Sequence, residues 1–321
     1  MVSSDERVAT EGVRQGGRAR AAGPIAPVVD TISRRIAHER GEPTFQRDPD
    51  YLRRQLATTT RLVNLFSPEV RGSENIPARG PALIVGNHSG VFWMPDIWVV
   101  ALEIVRRRGL EQPAYAMVYD LLLAIPGVGP FLRQIGALPA GGPEALAALK
   151  KGALVLDYPG GDWEACRPWT QRNKIDLGGH RGFVRLALET GVPVVPVVAH
   201  GSHQTVVVVS RGNCLSRLMG LGRLRIHVFP LLLGPPLGVM PLVAPPMPSA
   251  VTVEFLHPMR WAQLGPEAAD DPAVIDRCYH EITAAMQTAL DRLAAELAHP
   301  VVRGITNLAF RGRRRIEVPD P

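Results

Sequence analysis

The sequence predicts an α/β fold, a mixed and largely parallel sheet flanked by helices. Three observations carry that expectation. Short apolar, β-prone runs recur at 82–85, 114–118, 153–158 and 192–198. Helix-length segments separate them, at 95–108, 143–151 and 182–190. Several of the runs then open into Gly-, Asn- or His-containing loops, as the C-terminal ends of parallel strands do where ligands bind.

Taken in order, residues 1–44 are rich in Arg, Gly, Ala and Ser and read as a basic, mostly disordered N-terminal arm. Asp48-Pro49 is an N-cap followed by Pro. It opens a helix whose interrupted apolar face is Tyr51, Leu52, Leu56, Leu62 and Val63. A short strand is expected over 70–76, then the strand 82–85, broken by Gly86-Asn87 so that His88 enters a loop. Pro95 restarts helix, Asp96 follows in its first turn, and Arg106-Arg107-Arg108-Gly109 ends it with cations and a glycine. Residues 121–132 are uncharged, but only twelve long and interrupted by Pro126 and Pro130, too short to span a bilayer.

Residues 136–140 read as a short strand and turn, and 143–151 as a helix stopped at Gly152. The strand 153–158 runs into Pro159-Gly160-Gly161-Asp162-Trp163-Glu164, where two glycines allow a ligand to approach the backbone. Arg167, Arg172, Lys174 and Arg181 crowd the next stretch of chain, either as a solvated loop or as an anion site. The helix 182–190 ends at Gly191, and the strand 192–198 leads to Ala199-His200-Gly201-Ser202-His203. Residues 226–253 contain no Asp, Glu, Lys or Arg, yet their seven prolines forbid an ordinary transmembrane helix. Residues 228–248 are therefore expected to be an irregular apolar segment, packed on the core or dipping into a lipid interface. A strand at 250–256 and an amphipathic helix capped by Asp271-Pro272 complete a domain spanning 45–300. Residues 301–321 form a basic C-terminal tail containing Arg311, Arg313, Arg314 and Arg315.

With 321 residues and 46% hydrophobic content the chain can bury a large core. Its net charge of +6 and pI near 9.6 point to an anionic partner. Helix-turn-helix, RNA-binding aromatic and zinc-spacing signatures are all lacking, which disfavours nucleic acid. Cys166, Cys214 and Cys278 are odd in number and scattered, which argues against a disulfide framework or a metal site and for a reducing, cytoplasmic setting. Residues 1–30 have no apolar run long enough for a signal peptide.

The most informative stretch is 81–96, P-A-L-I-V-G-N-H-S-G-V-F-W-M-P-D. A His at a strand end and an Asp at the next helix start can converge as a general base and the carboxylate that orients it. The plainer alternative is a loop histidine and an Asp placed for the helix dipole.

Further motifs weigh on that choice. Asn87-His88, with seven residues intervening before Asp96, is similar to the first block of the glycerolipid acyltransferase superfamily, the lysophosphatidate-acyltransferase-like enzymes, in which four residues intervene. The form N-H-S-G…P-D looks like the branch containing diacylglycerol-acyltransferase-like enzymes. Arg133-Gln134-Ile135-Gly136-Ala137-Leu138-Pro139 resembles the second block, and Tyr158-Pro159-Gly160-Gly161 a Pro-Gly-Gly variant of the third, with Glu164 shortly after. Arg181-Gly182-Phe183 resembles the element preceding the fourth block, which 192–197 matches.

The resemblance implies a glycerolipid-acyltransferase-like fold. It also implies transfer of a fatty acyl group from acyl-CoA, or an acyl carrier protein, to a hydroxyl of a glycerolipid or lysophospholipid. His88 would be the base and Asp96 its orienter. Asn87, Ser89, Gly160, Gly161, Glu164, Lys174 and Arg181 are the candidate substrate-binding residues, with no metal and no cofactor beyond the acyl donor. An anionic membrane surface is the expected partner, with cytoplasmic, peripheral attachment. A hydrolase using the same dyad on water, or a non-catalytic lipid-binding module, would share these motifs.

Overall fold

The computed structural model describes residues 45–91, 93–140, 143–219, 221–224, 227–234, 238–241 and 244–309. The N-terminal arm, and residues 310–321 of the basic tail, lie outside them.

The helices and strands run α1 (Pro49–Val63), β1 (Glu69–Arg71), β2 (Ala82–Gly86), α2 (Pro95–Arg108), β3 (Ala114–Val118), α3 (Asp120–Ala124), α4 (Val128–Gln134), β4 (Ala137–Pro139) and α5 (Pro143–Lys150). They continue as β5 (Leu154–Asp157), α6 (Gly161–Ala165), α7 (Gly182–Thr190), β6 (Val194–His200), β7 (Val207–Ser210), α8 (Asn213–Leu218), β8 (Leu231–Gly234), β9 (Gly238–Pro241), β10 (Thr252–Phe255), α9 (Pro272–Glu296) and α10 (Pro300–Ala309).

Seven strands form one sheet in the order β1-β10-β6-β2-β5-β3-β4, with β10 pairing antiparallel to β6 and every other neighbour parallel. The mixed, largely parallel sheet expected from the sequence is therefore present. β2, at its centre, is buried along its whole length between β5 and β6, and this two-sided burial explains why its sequence is a continuous apolar run. Alternation still operates across the pleat. Leu83 and Val85 face a layer built from α5, α7 and α9, while Ala82 and Ile84 face α2 and the end of α1. In α9, Ile275, Cys278, Ile282, Met286, Leu290 and Leu293 form the predicted apolar stripe. Both predicted N-caps are made: Asp48 accepts from the amides of Asp50 and Tyr51, and Asp271 from those of Ala273 and Val274.

Residues 121–132, expected to be too short to span a bilayer, fold as two short helices, α3 and α4, which pack against each other. Three local expectations change. The strand expected over 70–76 is confined to β1, and Ser73–Asn75 form a 3-10 turn instead. Residues 301–309, expected as the start of a tail, are helical in α10, and Gly304 lets that helix lie directly on the backbone of Pro248 and Ser249.

The segment 228–248 is not irregular throughout. β8 and β9 form an antiparallel hairpin that joins β7 in a separate three-stranded sheet. Its inward residues, Val208 and Leu232, share a small core with Val91, Ala165, Cys166, Val206, Val228 and Ala244. Their neighbours Val209 and Leu233 face outward and are exposed. Prolines at 230 and 241 flank or end these strands, where a missing N–H costs little. No helix among the described residues is long and apolar enough to cross a membrane.

Candidate active site

The loop leaving the C-terminal end of β2 is built from residue to residue by backbone constraints. Asn87 is buried and its side chain imitates a strand partner: Nδ2 donates to the Ala199 carbonyl at 3.1 Å, and Oδ1 accepts from the Ala199 amide at 2.7 Å. This ties the loop to β6 and turns the chain so that His88 projects beyond the sheet. Gly90, Val91 and Met94 then take φ values of 87°, 51° and 37°. Such left-handed backbone is costly for Val and Met, and here it coils the loop enough to absorb its length. Val91 is held in the small core below β7–β9, and Trp93 Nε1 donates to the Ala244 carbonyl at 2.8 Å.

The outcome is that His88 Nδ1 and Asp96 Oδ2 face each other at 3.7 Å, with seven residues between them in sequence. That separation is longer than a hydrogen bond, and neither atom has another partner. Asp96 is fully buried in the first turn of α2. Its other oxygen accepts from Ser202 Oγ at 2.7 Å, and its amide donates back to the same hydroxyl at 3.3 Å. Ser202, at the end of β6, thus holds the carboxylate that faces His88. The sequence reading reached the 199–203 turn without assigning Ser202 a role, because nothing local says that this turn lies opposite Asp96.

The turn after β5 supplies the other side of the site. Glu164 Oε2 accepts the His88 amide at 2.8 Å, and Oε1 accepts the Asp176 amide at 3.2 Å. Arg167, almost wholly buried, donates from one nitrogen to the His88 carbonyl at 2.7 Å and to the Glu164 carbonyl at 2.9 Å. Burial pushes the Glu164 carboxyl up to about 7, against the pull of Arg167.

The two glycines have different reasons. Gly160 has ordinary helical backbone, but a Cβ there would sit 2.5 Å from Glu164 Cβ and Oε2. Gly161 has open space around it and a φ of 49° instead, and its amide already donates to the Tyr158 carbonyl at 3.0 Å. Gly86 likewise leaves room for the Tyr158 ring, which lies 5.2 Å from the His88 imidazole, centroid to centroid. The Tyr158 hydroxyl is buried without a partner, and burial, reinforced by Asp96 and Glu164, raises its pKa well above the usual phenol value. The Ser89 hydroxyl is also buried and unpartnered.

Asn87, His88, Ser89, Asp96, Gly160 and Glu164 are thus parts of one locality joined by direct contacts or by chain neighbours, and Gly161 borders it. The two remaining candidates differ. Arg181 pairs with Asp276, donates to the Gly179 carbonyl and stacks over Tyr279 at 5.1 Å. It lines a cavity of about 480 Å³ with Gly182, Arg185, Pro272, Ile275 and Asp276, which His88 does not line. Lys174 is exposed.

The chain is 31% identical over 277 residues to an uncharacterized protein of Mycobacterium bovis, covering 84% of this chain and 74% of that one. Over 129 residues it is 30% identical to the chicken DGAT1/2-independent enzyme synthesizing storage lipids, 40% of this chain and 37% of the relative. A crystal structure of the 1-acyl-sn-glycerophosphate acyltransferase of Thermotoga maritima aligns with a TM-score of 0.47 at 19% identity, covering 84% of this chain and 92% of that one. Residues 67–200, which contain the whole locality around His88 up to β6, match the acyltransferase family. The chain belongs to that family, within the glycerolipid acyltransferase superfamily its motifs resemble, and is an O-acyltransferase.

Proposed function

We propose that the protein transfers a fatty acyl group from acyl-CoA or an acyl carrier protein to a hydroxyl of a glycerolipid or lysophospholipid, with His88 as general base. The observation carrying this reading is the buried Asp96 carboxylate, held by Ser202 and turned toward His88 Nδ1 at 3.7 Å. A carboxylate on Nδ1 keeps the proton there and leaves Nε2 free to accept one. The acceptor hydroxyl gives its proton to Nε2 as its oxygen bonds to the thioester carbonyl carbon. The carbonyl electrons move onto oxygen, then return as the C–S bond breaks, and the imidazolium returns the proton to the departing thiolate.

Ser89, whose buried hydroxyl has no protein partner, is the proposed donor to substrate oxygen, with Gly160 and Gly161 as further candidates for substrate contact. Arg181 and Lys174 are the candidates for contact with an acceptor phosphate. The relation to an enzyme synthesizing storage lipids supports a glycerolipid acceptor.

The dyad is tested by incubation with labelled acyl-CoA and a panel of acceptors, with products read by mass. His88→Ala should lower kcat by about 10²–10⁴-fold, the usual worth of general-base catalysis, with acyl-CoA binding retained. Asp96→Asn should also lower kcat in a folded protein. Near-normal turnover in folded His88→Ala overturns the mechanism, and free fatty acid as the main product, with or without acceptor, makes the enzyme a hydrolase.

An anionic membrane surface is the proposed setting. Trp93, Val209, Leu218 and Leu233, all on or beside the small sheet, are exposed apolar side chains, and the net charge is +6. Flotation with anionic vesicles should recover the protein at low salt and less of it at high salt. Failure to bind at both salts would sink this part.

A further inference from the structure

The Pro-Gly-Gly turn and the helix after it do more than let a ligand approach the backbone. Both main-chain polar groups of His88 are gripped from this side: its N–H by Glu164 Oε2 at 2.8 Å, its C=O by an Arg167 guanidinium nitrogen at 2.7 Å. The two gripping side chains are themselves a pair, 3.8 Å apart, with 0% and 1% of their side-chain surfaces exposed. They are fixed in turn. Glu164 also takes the Asp176 amide, and Arg167 also donates to the carbonyls of Glu164 and Arg172. Asp176 is held by Trp163 Nε1 at 2.9 Å and by Arg211 at 3.1 Å.

Fixing the N–H and the C=O of one residue fixes the two peptide planes on either side of its Cα. Those planes set the direction of the Cα–Cβ bond, and hence where the imidazole can point. We propose that Glu164 and Arg167 act together as positioning residues that clamp the His88 backbone and aim its imidazole at Asp96. The clamp rests on the assignment of His88 as general base. It gives the Pro-Gly-Gly turn the task of seating Glu164, since Gly160 is the position where a side chain would strike the Glu164 carboxylate and, at 3.0 Å, the Asp176 carbonyl. It also gives Arg167, which lies outside the Pro-Gly-Gly turn itself, a task in the reaction without contact with substrate.

Removing one member alone strands a buried charge, so the decisive variant removes both charges: Glu164→Gln with Arg167→Met. The amide oxygen still accepts the His88 N–H, while the grip on the carbonyl is lost. Misplacement of a reacting group by about 1 Å costs about 10²-fold in rate. The double variant should therefore melt near the wild-type temperature and lose about 10–10²-fold in kcat, with the acyl-donor KM unchanged. Nitrogen NMR of ¹⁵N-histidine-labelled protein should show the His88 tautomer mixture and titration altered.

Should the double variant fail to fold, Arg167→Lys serves in its place. It keeps the pair with Glu164 but not the planar fork, and the same split between kcat and KM is expected. A folded variant of either kind with wild-type kcat and an unaltered His88 titration overturns the clamp. His88→Ala assayed alongside separates the two failures. If it is inactive while the clamp variants are fully active, only the clamp is wrong; if it is active, the general-base reading itself fails.

Discussion

Two arginine–carboxylate pairs, whose arginines lie within about twenty residues of one another in sequence, behave as opposites. Arg167–Glu164 is buried, stretched to 3.8 Å, and directs its remaining hydrogen bonds to the backbone of His88 and its neighbours. Arg181–Asp276 joins α7 to α9 on the surface, with 43% and 50% of the side chains exposed. The chemistry of the partners is the same; the solvent is not. In water the attraction is screened and each group is stable alone. In the interior each charge depends on the other, because neither can return to water without opening the structure. The interior pair can therefore fix a geometry, and the surface pair can be exchanged for a ligand.

The sharpest way to break the comparison is to remove one arginine from each pair and measure thermal stability. Arg167→Ala takes the cation away from a buried carboxyl that burial has already raised to about 7, and leaves the carbonyls of His88, Glu164 and Arg172 without their donor. Losses of about 3–5 kcal/mol are expected for breaking such a buried pair. A loss below about 1 kcal/mol, the range of exposed pairs, would mean that Glu164 takes up a proton or reaches water with ease. The contrast between the pairs would then fall.

Asp157 sharpens the point with a carboxyl governed mainly by burial. It sits at the end of β5, and burial pushes its pKa from 3.8 up to about 7, only partly countered by the Tyr158 backbone. A carboxyl whose folded pKa lies above its unfolded value stabilises the fold at low pH, and that contribution is lost as pH rises from about 4 through 7. Asp157→Asn should therefore be more stable than the wild type at pH 8, by at most about 4 kcal/mol at about 1.36 kcal/mol per pKa unit. The gain should shrink toward zero near pH 4. A variant less stable at pH 8 would show that the ionised form makes contacts outweighing its desolvation. The isolated Asp157 effect is the one to read, since burial lowers His200 to about 4 and holds His203 well below the usual imidazole value. Those histidines contribute the opposite slope, stability lost as pH falls below about 6.5.

The smallest stability effect is expected at Arg181. Arg181→Ala should cost less than about 1 kcal/mol, as exposed pairs do. Since the fold is barely touched, its acceptor KM is directly interpretable. A rise with an unchanged acyl-donor KM reports an anionic acceptor headgroup exchanging with Asp276, and an unchanged acceptor KM removes Arg181 from the site.

By itself the sequence determined the elements whose signals are local. Helix α2 begins at Pro95 and ends before Gly109, and α7 begins at Gly182 and ends before Gly191, where the glycine, proline and charge signals place them. The buried strands β2, β5 and β6 announce themselves as apolar runs because both faces of a central parallel sheet are covered. His88 and Asp96 were legible as residue types in a family-like order.

Tertiary structure decided what depends on distant partners. Whether seven intervening residues could still bring Asp96 to His88 depends on left-handed turns at Gly90, Val91 and Met94, tethered to Ala244 and the core under β7–β9. Those tethers lie about a hundred residues or more away in the chain. The same holds for Ser202 on Asp96 and for Asn87 on Ala199. The β8–β9 hairpin escaped the sequence reading because its prolines and unbroken apolarity erase the alternation that marks a half-buried strand. Arg167 and Arg181 read alike as cations after a glycine turn. Only folding around them puts one in the core beneath His88 and leaves the other in water.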